Sequence, residues 1–365
     1  MSRQAEAVRR SVVDRLAAQA HTFPTDQPEQ DGTLSWDATT IVICEASADG
    51  QTGIGYTYSD PACAELIRET LAPLVREADA MSPQAAWWRM IDQTRNLGRR
   101  GLVSAGIAAV DGALWDLKAR LLGLPLVTLL GQVHEAAPLY GSGGFTSYSD
   151  ERLAEQLRGW IAEGMGAVKI KIGRDRARDL ERIQLARTVI GSEIDLYVDA
   201  NGAYGRSEAL SLAEQAAPCG VCWFEEPVSS DDLDGMRMVR ERAPAGMAVA
   251  AGEYSSDLFD ARRMIDARAV DVVQADATRC GGITGFLAVS ALCQAACLRL
   301  SAHTAPALHL HPCCAVGPLH SIEYFHDHVR IERMVFDGVV EPVAGRLVPR
   351  LDCAGNGLAL RSRPG

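Results

Sequence analysis

Seven strand-like segments of this chain each end in an ionisable residue, and these residues recur at intervals of 20 to 28 positions. Helix-like segments such as 150–163 and 178–190, with apolar residues three and four positions apart, lie between them. A strand, a loop, a helix and a second loop need about this many residues, so the pattern indicates parallel strands joined by crossover helices. The seven residues are Lys171, Asp199, Glu225, Glu253, Asp276, His303 and Glu323.

The regular spacing places all seven side chains at the same end of successive strands. In an open sheet they would spread along an edge, whereas in a closed barrel they converge on one mouth. Barrel enzymes carry their chemistry at the C-terminal mouth. A solvated strand end explains any one of these residues, but it explains seven in succession poorly. We therefore predict an α/β protein with a site at the mouth of a barrel.

The two ends of the chain lack this alternation. The segments with strand or helix character in the first part are 39–45, 52–58, 61–77 and 104–122. They predict an α+β domain over residues 1–132 that is separate from a barrel domain over residues 133–336. The turn-rich tail, residues 337–365, is expected to leave the barrel and complete the first domain.

The overall charge limits the possible partners. The chain has 47 Asp and Glu residues against 36 Lys and Arg residues, for a formal net charge of −11. This balance argues against nucleic acid and anionic membranes. Residues 1–6 lack the apolar core of a secretory signal, and the apolar stretch 281–300 is interrupted by polar residues and indicates a buried helix. We expect a cytoplasmic protein that binds neither nucleic acid nor membrane.

Three carboxylates on adjacent predicted strands, Asp199, Glu225 and Glu253, indicate a metal site. Carboxylates focused on one point repel one another unless a cation lies among them. Oxygen-only ligation favours a hard divalent ion, and Mg²⁺ keeps open positions for a substrate. The expected cofactor is Mg²⁺.

Two lysines, Lys169 and Lys171, lie two apart in an otherwise apolar strand. The alternate residues of this strand must pack against the surrounding helices, so both lysines are expected to point into the barrel. Burial of two ammonium groups is expected to lower their pKa, which would make a lysine a usable general base.

Asp276 and His303 end consecutive strands, on the far side of the predicted barrel. A carboxylate that is hydrogen-bonded to one imidazole nitrogen fixes the tautomer and makes the other nitrogen more basic. We therefore predict a catalytic dyad. Glu323 is expected to bind a substrate carboxylate oxygen as the protonated acid.

Together these motifs resemble the enolase superfamily, in its mandelate racemase branch, along nearly the whole chain. The motifs are Lys169-Ile170-Lys171, Asp199-Ala200-Asn201, Glu225-Glu226-Pro227, Gly252-Glu253, Asp276 ahead of Gly281-Gly282, Ser301-Ala302-His303, and Ala109-Val110-Asp111 with Trp115-Asp116 before the barrel. The resemblance implies a modified TIM barrel, (β/α)₇β, closed by an α+β capping domain. It also implies removal of the proton α to a substrate carboxylate, which gives an enediolate.

Departures from the family pattern bear on the substrate. Cycloisomerases and amino-acid epimerases of the superfamily carry a lysine where this chain has Asp276, which argues against both classes. The family uses the segment matching His21–Trp36 as a specificity loop, and here it reads as a loop containing Pro and Gln. The residues expected to contact substrate are His21, Tyr56, Asn201, Lys169 and Glu323.

The resemblance leaves two fates for the enediolate. If His303 protonates a departing β-hydroxyl, the product is a 2-keto-3-deoxy acid, and if it returns a proton to the α carbon, the outcome is racemisation or epimerisation. We predict a dehydratase of a sugar acid, either an aldonate or an aldarate. A racemase or epimerase of a 2-hydroxy acid is the alternative, and a non-catalytic acid-binding barrel is a remote one. The expected partners are a small carboxylate substrate and further copies of the chain in a homo-oligomer.

Overall fold

The N-terminal part folds as an antiparallel sheet covered by helices. The computed structural model describes residues 10–362, so the prediction about residues 1–6 lies outside it. The three strands, in sheet order, are β1 (Arg15–Gln30), β2 (Ser35–Ala48) and β3 (Gln51–Tyr58). The helices are α1 (Ala62–Leu66), α2 (Ala72–Val75), α3 (Pro83–Gln93), α4 (Leu102–Leu121) and α5 (Leu126–Leu130), with a π-helical turn, Ile67–Leu71, between the first two.

Strand β2 is buried on both faces, which ties this sheet to the rest of the molecule. Val42 and Cys44 pack into a core formed with the helices, whereas Ile41 and Ile43 pack into the core of the barrel. Successive side chains of a strand point to opposite faces, so one apolar run serves both cores. The sheet is thus held between its own helices and the barrel.

Eight parallel strands form the barrel, and it closes because the last strand pairs with the first. The strands are β4 (Ala137–Gly143), β5 (Ala167–Lys171), β6 (Asp195–Asp199), β7 (Val221–Glu225), β8 (Ala248–Ala251), β9 (Val272–Ala275), β10 (Arg299–Ala302) and β11 (Leu319–Phe325). The helices that follow them are α6 (Asp150–Ala162), α7 (Asp179–Ile190), α8 (Arg206–Ala216), α9 (Leu233–Arg242), α10 (Leu258–Asp266), α11 (Gly282–Ala295), α12 (Pro306–Cys314) and α13 (His326–Val335). The predicted barrel fold with its cap is confirmed.

The tail contacts both parts of the molecule. Its short strands are β12 (Phe336–Asp337), β13 (Arg346–Leu347) and β14 (Ala359–Leu360). Strand β13 pairs antiparallel with β4. Asn356 donates from its backbone to Asp116 at 2.6 Å and from its side chain to the carbonyl of Ile54 at 3.1 Å. We propose, on these contacts, the division into a cap of residues 1–132 and 337–365 and a barrel of residues 133–336.

One expectation about the cap is wrong. Residues 21–30 do not form a loop but continue β1, which pairs with β2 as far as Gln30 and Ser35 with an irregularity between Pro24 and Glu29. Asp31 makes the tight turn that follows, since its carboxylate accepts the backbone N–H groups of Thr33 and Leu34 at 2.6 Å. Among the described residues, no helix is long and apolar enough to cross a membrane.

Candidate functional site

The C-terminal mouth of the barrel opens into a cavity of about 380 Å³ that the cap covers. This volume falls within the range typical of small-molecule sites. Of the residues predicted from the sequence, five line the cavity, namely Lys171, Asn201, Glu253, His303 and Glu323. The others lie directly behind them, except for two cap residues considered below.

The three predicted metal ligands come together beneath this cavity. Asp199, Glu225 and Glu253 each offer a carboxylate oxygen, and these oxygens lie within 4.8 Å of one another. Glu253 Oε2 is buried without a hydrogen-bond partner among the described residues. An unpartnered buried oxygen in an all-carboxylate cluster fits a hard divalent cation such as Mg²⁺.

Both lysines point inward from β5, and both are paired with these carboxylates. Lys171 Nζ lies 2.5 Å from Asp199 Oδ2, and Lys169 contacts Glu225 and lies 2.8 Å from Glu323 Oε1. Burial by itself lowers the pKa of each lysine, but the neighbouring carboxylates outweigh it and raise both pKa values above the ordinary value. The predicted lowering is therefore wrong for this arrangement of charges. Lys169 is fully buried and does not line the cavity, so in this structure it contacts the carboxylates and not the open space above them.

The ring of His303 is held by Asp276 from the neighbouring strand. Its Nδ1 lies 2.8 Å from Asp276 Oδ2, and its Nε2 lies 3.4 Å from Glu253 Oε2 on the cavity side. Burial by itself raises the pKa of Asp276, but the hydrogen bond and charge of His303 outweigh it and hold that pKa below its usual range. The carboxylate is therefore ionised and positioned to stabilise an imidazolium.

Glu323 is anchored on both of its oxygens. Ser142 donates to Oε1 at 2.5 Å and the backbone N–H of Thr304 donates to Oε2 at 3.1 Å. Burial by itself raises the pKa of Glu323. The ammonium group of Lys169 and other nearby positive groups outweigh burial, so the net pKa is lowered to about 2. The expectation of a protonated acid is therefore wrong, because the sequence does not reveal how close Lys169 lies. Thr304 has a φ of 49°, a strained conformation of the kind that clusters at functional sites.

Two residues predicted to contact substrate lie elsewhere. Tyr56 is fully buried in the core, where its hydroxyl donates to Glu332 at 2.5 Å. His21 pairs with Ile41 across the hairpin and lines a different cavity, near Arg361. Their cross-strand partners, Ile41 and Ile43, pack into the barrel core, so both side chains are on the barrel-facing side of the sheet but outside the mouth cavity. Neither prediction stands.

The structure adds two residues that sequence reasoning missed. Arg279 lines the cavity, with its Nε 3.5 Å from Asp276 Oδ2 and its Nη1 donating to the carbonyl of Glu253 at 3.2 Å. His328, near the start of α13, also lines it, and its ring stacks on Tyr58 with 3.4 Å between the ring centroids. A polar residue just beyond the last barrel strand was the available signal for His328.

A second cluster of possible ligands, Asp26, Glu29 and His326, lies where the cap meets the barrel. Its charges are already paired, since Asp26 Oδ2 lies 2.9 Å from His326 Nε2 and 3.6 Å from Arg152 Nη2. Burial, reinforced by Asp327, raises the pKa of Glu29 to about 9. A protonated acid is a poor cation ligand, so the carboxylate trio at the mouth is the better metal site.

Two family models match the chain. The mandelate racemase / muconate lactonizing enzyme N-terminal domain matches residues 17–131, and the enolase C-terminal domain-like model matches residues 152–363. The chain is similar to a mandelate racemase/muconate lactonizing enzyme-like protein from Rubrobacter xylanophilus, with 50% identity and a TM-score of 0.94 over 96% of this chain and 97% of that one.

Two kinds of enzyme, a dehydratase and a cycloisomerase, are among the similar proteins. Arabinonate dehydratase from Saccharolobus solfataricus is 32% identical over 67% of this chain, and the match spans 66% of that relative's length. 3,6-Anhydro-alpha-L-galactonate cycloisomerase from Streptomyces coelicolor is 31% identical over 84% of this chain and 86% of its own. Asp276 thus does not separate the chain from cycloisomerases as expected, since one of them is 31% identical to it.

Magnesium is present in similar solved structures. One is L-talarate/galactarate dehydratase from Salmonella typhimurium with Mg and L-lyxarohydroxamate, which is 26% identical over 100% of this chain and 94% of its own, with a TM-score of 0.91. Together with the carboxylate trio, this supports the prediction of Mg²⁺ as the cofactor.

Proposed function

The chain belongs to the mandelate racemase / muconate lactonizing enzyme family of the enolase superfamily, and from this premise we propose that it is a Mg²⁺-dependent dehydratase of a sugar acid. The observation that carries the proposal is that Lys171 and His303 line one cavity from separate strands, with Asp276 bonded to the far side of the His303 ring. Strand β10 lies three strands from β5 around the barrel in one direction and five in the other. A base and an acid can therefore act on a substrate held between them.

In the proposed reaction Lys171 removes the proton from C2 of the acid, and the electron pair enters the enediolate. His303 gives its proton to the hydroxyl on C3, the C3–O bond breaks, and water leaves. The resulting enol tautomerises to the 2-keto-3-deoxy acid, so the substrate loses one water overall. Asp276 fixes the ring of His303 and stabilises its charged form.

Asp199, Glu225 and Glu253 would hold Mg²⁺, which when bound would offset their charge beside the lysines and stabilise negative charge on the substrate carboxylate. Lys169 and Glu323 form a fixed ion pair beside these carboxylates. A buried, preorganised set of charges needs little reorganisation during the reaction.

The test is turnover of a panel of aldonic and aldaric acids with Mg²⁺, followed by detection of 2-keto acids and by NMR in D₂O. We expect a 2-keto acid from at least one member of the panel. Exchange at C2 or loss of optical activity without a keto acid would favour the racemase or epimerase, which would use the same residues. If neither a keto acid nor exchange at C2 is detected although metal is bound, the proposal is overturned and an acid-binding barrel is favoured.

Two variants test the assigned roles. Lys171→Ala and His303→Asn should each abolish keto acid formation without unfolding the protein, and His303→Asn should retain exchange of the C2 proton. Lys118→Ala and His134→Asn are matched controls, because Lys118 contacts the ring of Trp115 and His134 contacts the carbonyl of Val316, both away from the mouth. Full activity in both site variants would contradict the assignment.

A further inference from the structure

The wall that the cap contributes to the mouth cavity carries negative charge and no positive charge. From Thr22 to Ile67 the chain contains eight Asp and Glu residues and no Lys, Arg or His. Two of these acids, Asp31 and Asp60, line the cavity. Each accepts a backbone N–H group, Asp31 from Leu34 at 2.6 Å and Asp60 from Ala62 at 2.8 Å, which holds the carboxylates in place on the wall.

The two cations that line the cavity, Lys171 and Arg279, belong to the barrel. Lys171 is paired with Asp199, and Arg279 is held between the carbonyl of Glu253 and the carboxylate of Asp276. Both charges are therefore balanced by neighbouring groups close to the metal-binding carboxylates. No other lysine or arginine lines this cavity among residues 10–362.

The remaining polar groups on the cap side are neutral. Thr39, Thr40 and Ser59 are hydroxyl-bearing cap residues that line the cavity. His328 Nδ1 accepts the backbone N–H of Ala305 at 3.4 Å, so its Nε2 carries the proton in the neutral tautomer. Burial, together with the charge of His303, lowers the pKa of His328 well below its ordinary value, in keeping with a neutral ring.

This distribution of charge bears on the far end of the substrate. Under the proposed function, on which this inference rests, the reacting carboxylate lies at the lysines and the carboxylate trio, so the opposite end points towards the cap. A second carboxylate there would meet fixed like charges with no cation to pair with, whereas a terminal hydroxyl would find hydroxyl and imidazole partners. We propose that the substrate is a monocarboxylic sugar acid, an aldonate, and that the cap wall, with His328, discriminates against aldarates.

The test uses pairs of acids that have the same configuration at C2 to C5 and differ only in a terminal hydroxyl or carboxylate. For the wild-type protein with Mg²⁺, we expect kcat/KM for the aldonate to exceed that for the matched aldarate by at least about 100-fold. Dissociation constants from calorimetry should differ in the same direction by at least about 10-fold. Equal or better binding of the aldarate would overturn the inference, as would failure of any aldonate to bind.

The two measurements separate the inference from the proposed function. Tighter binding of aldonates without any keto acid would contradict the dehydratase but uphold the cap wall as the selective element.

A second test adds a cation to the wall with Thr40→Arg, which should raise kcat/KM for the aldarate relative to the aldonate by about 10-fold or more. Thr22→Arg is the matched control, because Thr22 shares a hydrogen bond with Thr40 but does not line the cavity. Ser59→Lys provides a second position, and an unchanged ratio in both cavity variants would overturn the inference.

Discussion

Nδ1 of His303 lies 2.8 Å from Oδ2 of Asp276, and these two residues end neighbouring strands of the barrel. Oδ1 of the same carboxylate accepts the backbone N–H of Thr278 at 2.7 Å, so the carboxylate is fixed from both sides. A carboxylate held in this way orients the imidazole and leaves Nε2 facing the cavity. The acid of the proposed reaction is thus a pair of residues rather than a single histidine.

Replacing this carboxylate should damage turnover while leaving the fold intact. In Asp276→Asn the amide cannot stabilise an imidazolium, so we expect kcat for keto acid formation to fall by about 10²- to 10⁴-fold. Exchange of the C2 proton should persist, because Lys171 is unchanged. Steady-state kinetics and NMR in D₂O measure the two effects.

Asp271→Asn is the control, since Asp271 lies near the other end of the same strand and binds Arg240 at 2.7 Å. It should leave kcat within about twofold. Normal keto acid formation by Asp276→Asn would contradict the role given to the pair.

Close contact between the cap sheet and its long helix should make one glycine sensitive to substitution. A Cβ at Gly55 would lie 2.2 Å from the carbonyl oxygen of Ala109 and 2.3 Å from the backbone nitrogen of Ala113. Gly55→Ala should therefore lower the free energy of unfolding by about 1–3 kcal/mol or more. Urea denaturation provides the measurement.

Gly159→Ala is the matched control in helix α6, where nothing lies within 4 Å of the added Cβ. It should raise the free energy of unfolding by about 0.5–1 kcal/mol because alanine favours the helix. A neutral Gly55→Ala would show that the helix can move away from the sheet.

The placement of residues at the barrel mouth could be predicted from the sequence. Lys169 and Lys171 alternate with apolar residues, and in a parallel strand packed on helices that alternation alone sends both lysines inward. Asp199, Glu225 and Glu253 are separated from one another in the sequence by about the length of one βα unit, so closure of the barrel brings their side chains together. These predictions depend on local periodicity and chain length only.

The orientation of the cap residues and the charge states could not be predicted in this way. Tyr56 and Tyr58 lie two residues apart in β3 and therefore share one face of the cap sheet, yet Tyr58 lines the cavity whereas Tyr56 is buried against Glu332. Which of the two reaches the mouth depends on how the sheet lies on the barrel. The direction of the pKa shift of Lys171 depends on whether burial or the charge of Asp199 has the larger effect. The charge dominates because Lys171 Nζ lies only 2.5 Å from Asp199 Oδ2. Neither quantity is encoded in spacing along the chain.

A buried acid in the cap–barrel core should make stability depend on pH. Burial raises the pKa of Glu332 to about 8, although the hydrogen bonds from Tyr56 and the backbone of Ala307 partly oppose the shift. Because the folded state holds its proton more tightly than the unfolded state, this contribution is fully present below about pH 4.5 and is lost as the pH rises through about 8. Stability curves for the wild type and Glu332→Gln should therefore diverge across this window.

Other groups titrate in the same range, so the difference between the two proteins is the quantity to compare. The stability of the wild type relative to Glu332→Gln should fall as the pH rises from 4.5 to 8. Tyr56→Phe, which removes the hydroxyl donor, should raise the pKa of Glu332 further and extend the fall to higher pH. A difference independent of pH would show that Glu332 is ionised in the folded protein.

Metal removal should affect activity and stability through one site. EDTA should abolish turnover, and saturation with Mg²⁺ at about 100 times its dissociation constant should raise the free energy of unfolding by about 2.7 kcal/mol. Glu253→Gln should weaken Mg²⁺ binding by about 10-fold or more, because it replaces a carboxylate whose Oε2 has no hydrogen-bond partner within the described chain. Glu29→Gln, in the cluster with Asp26 and His326, is the control and should leave affinity and stoichiometry unchanged at one ion per chain, as measured by calorimetry. Loss of Mg²⁺ binding in Glu29→Gln but not in Glu253→Gln would place the ion between the cap and the barrel instead of at the mouth.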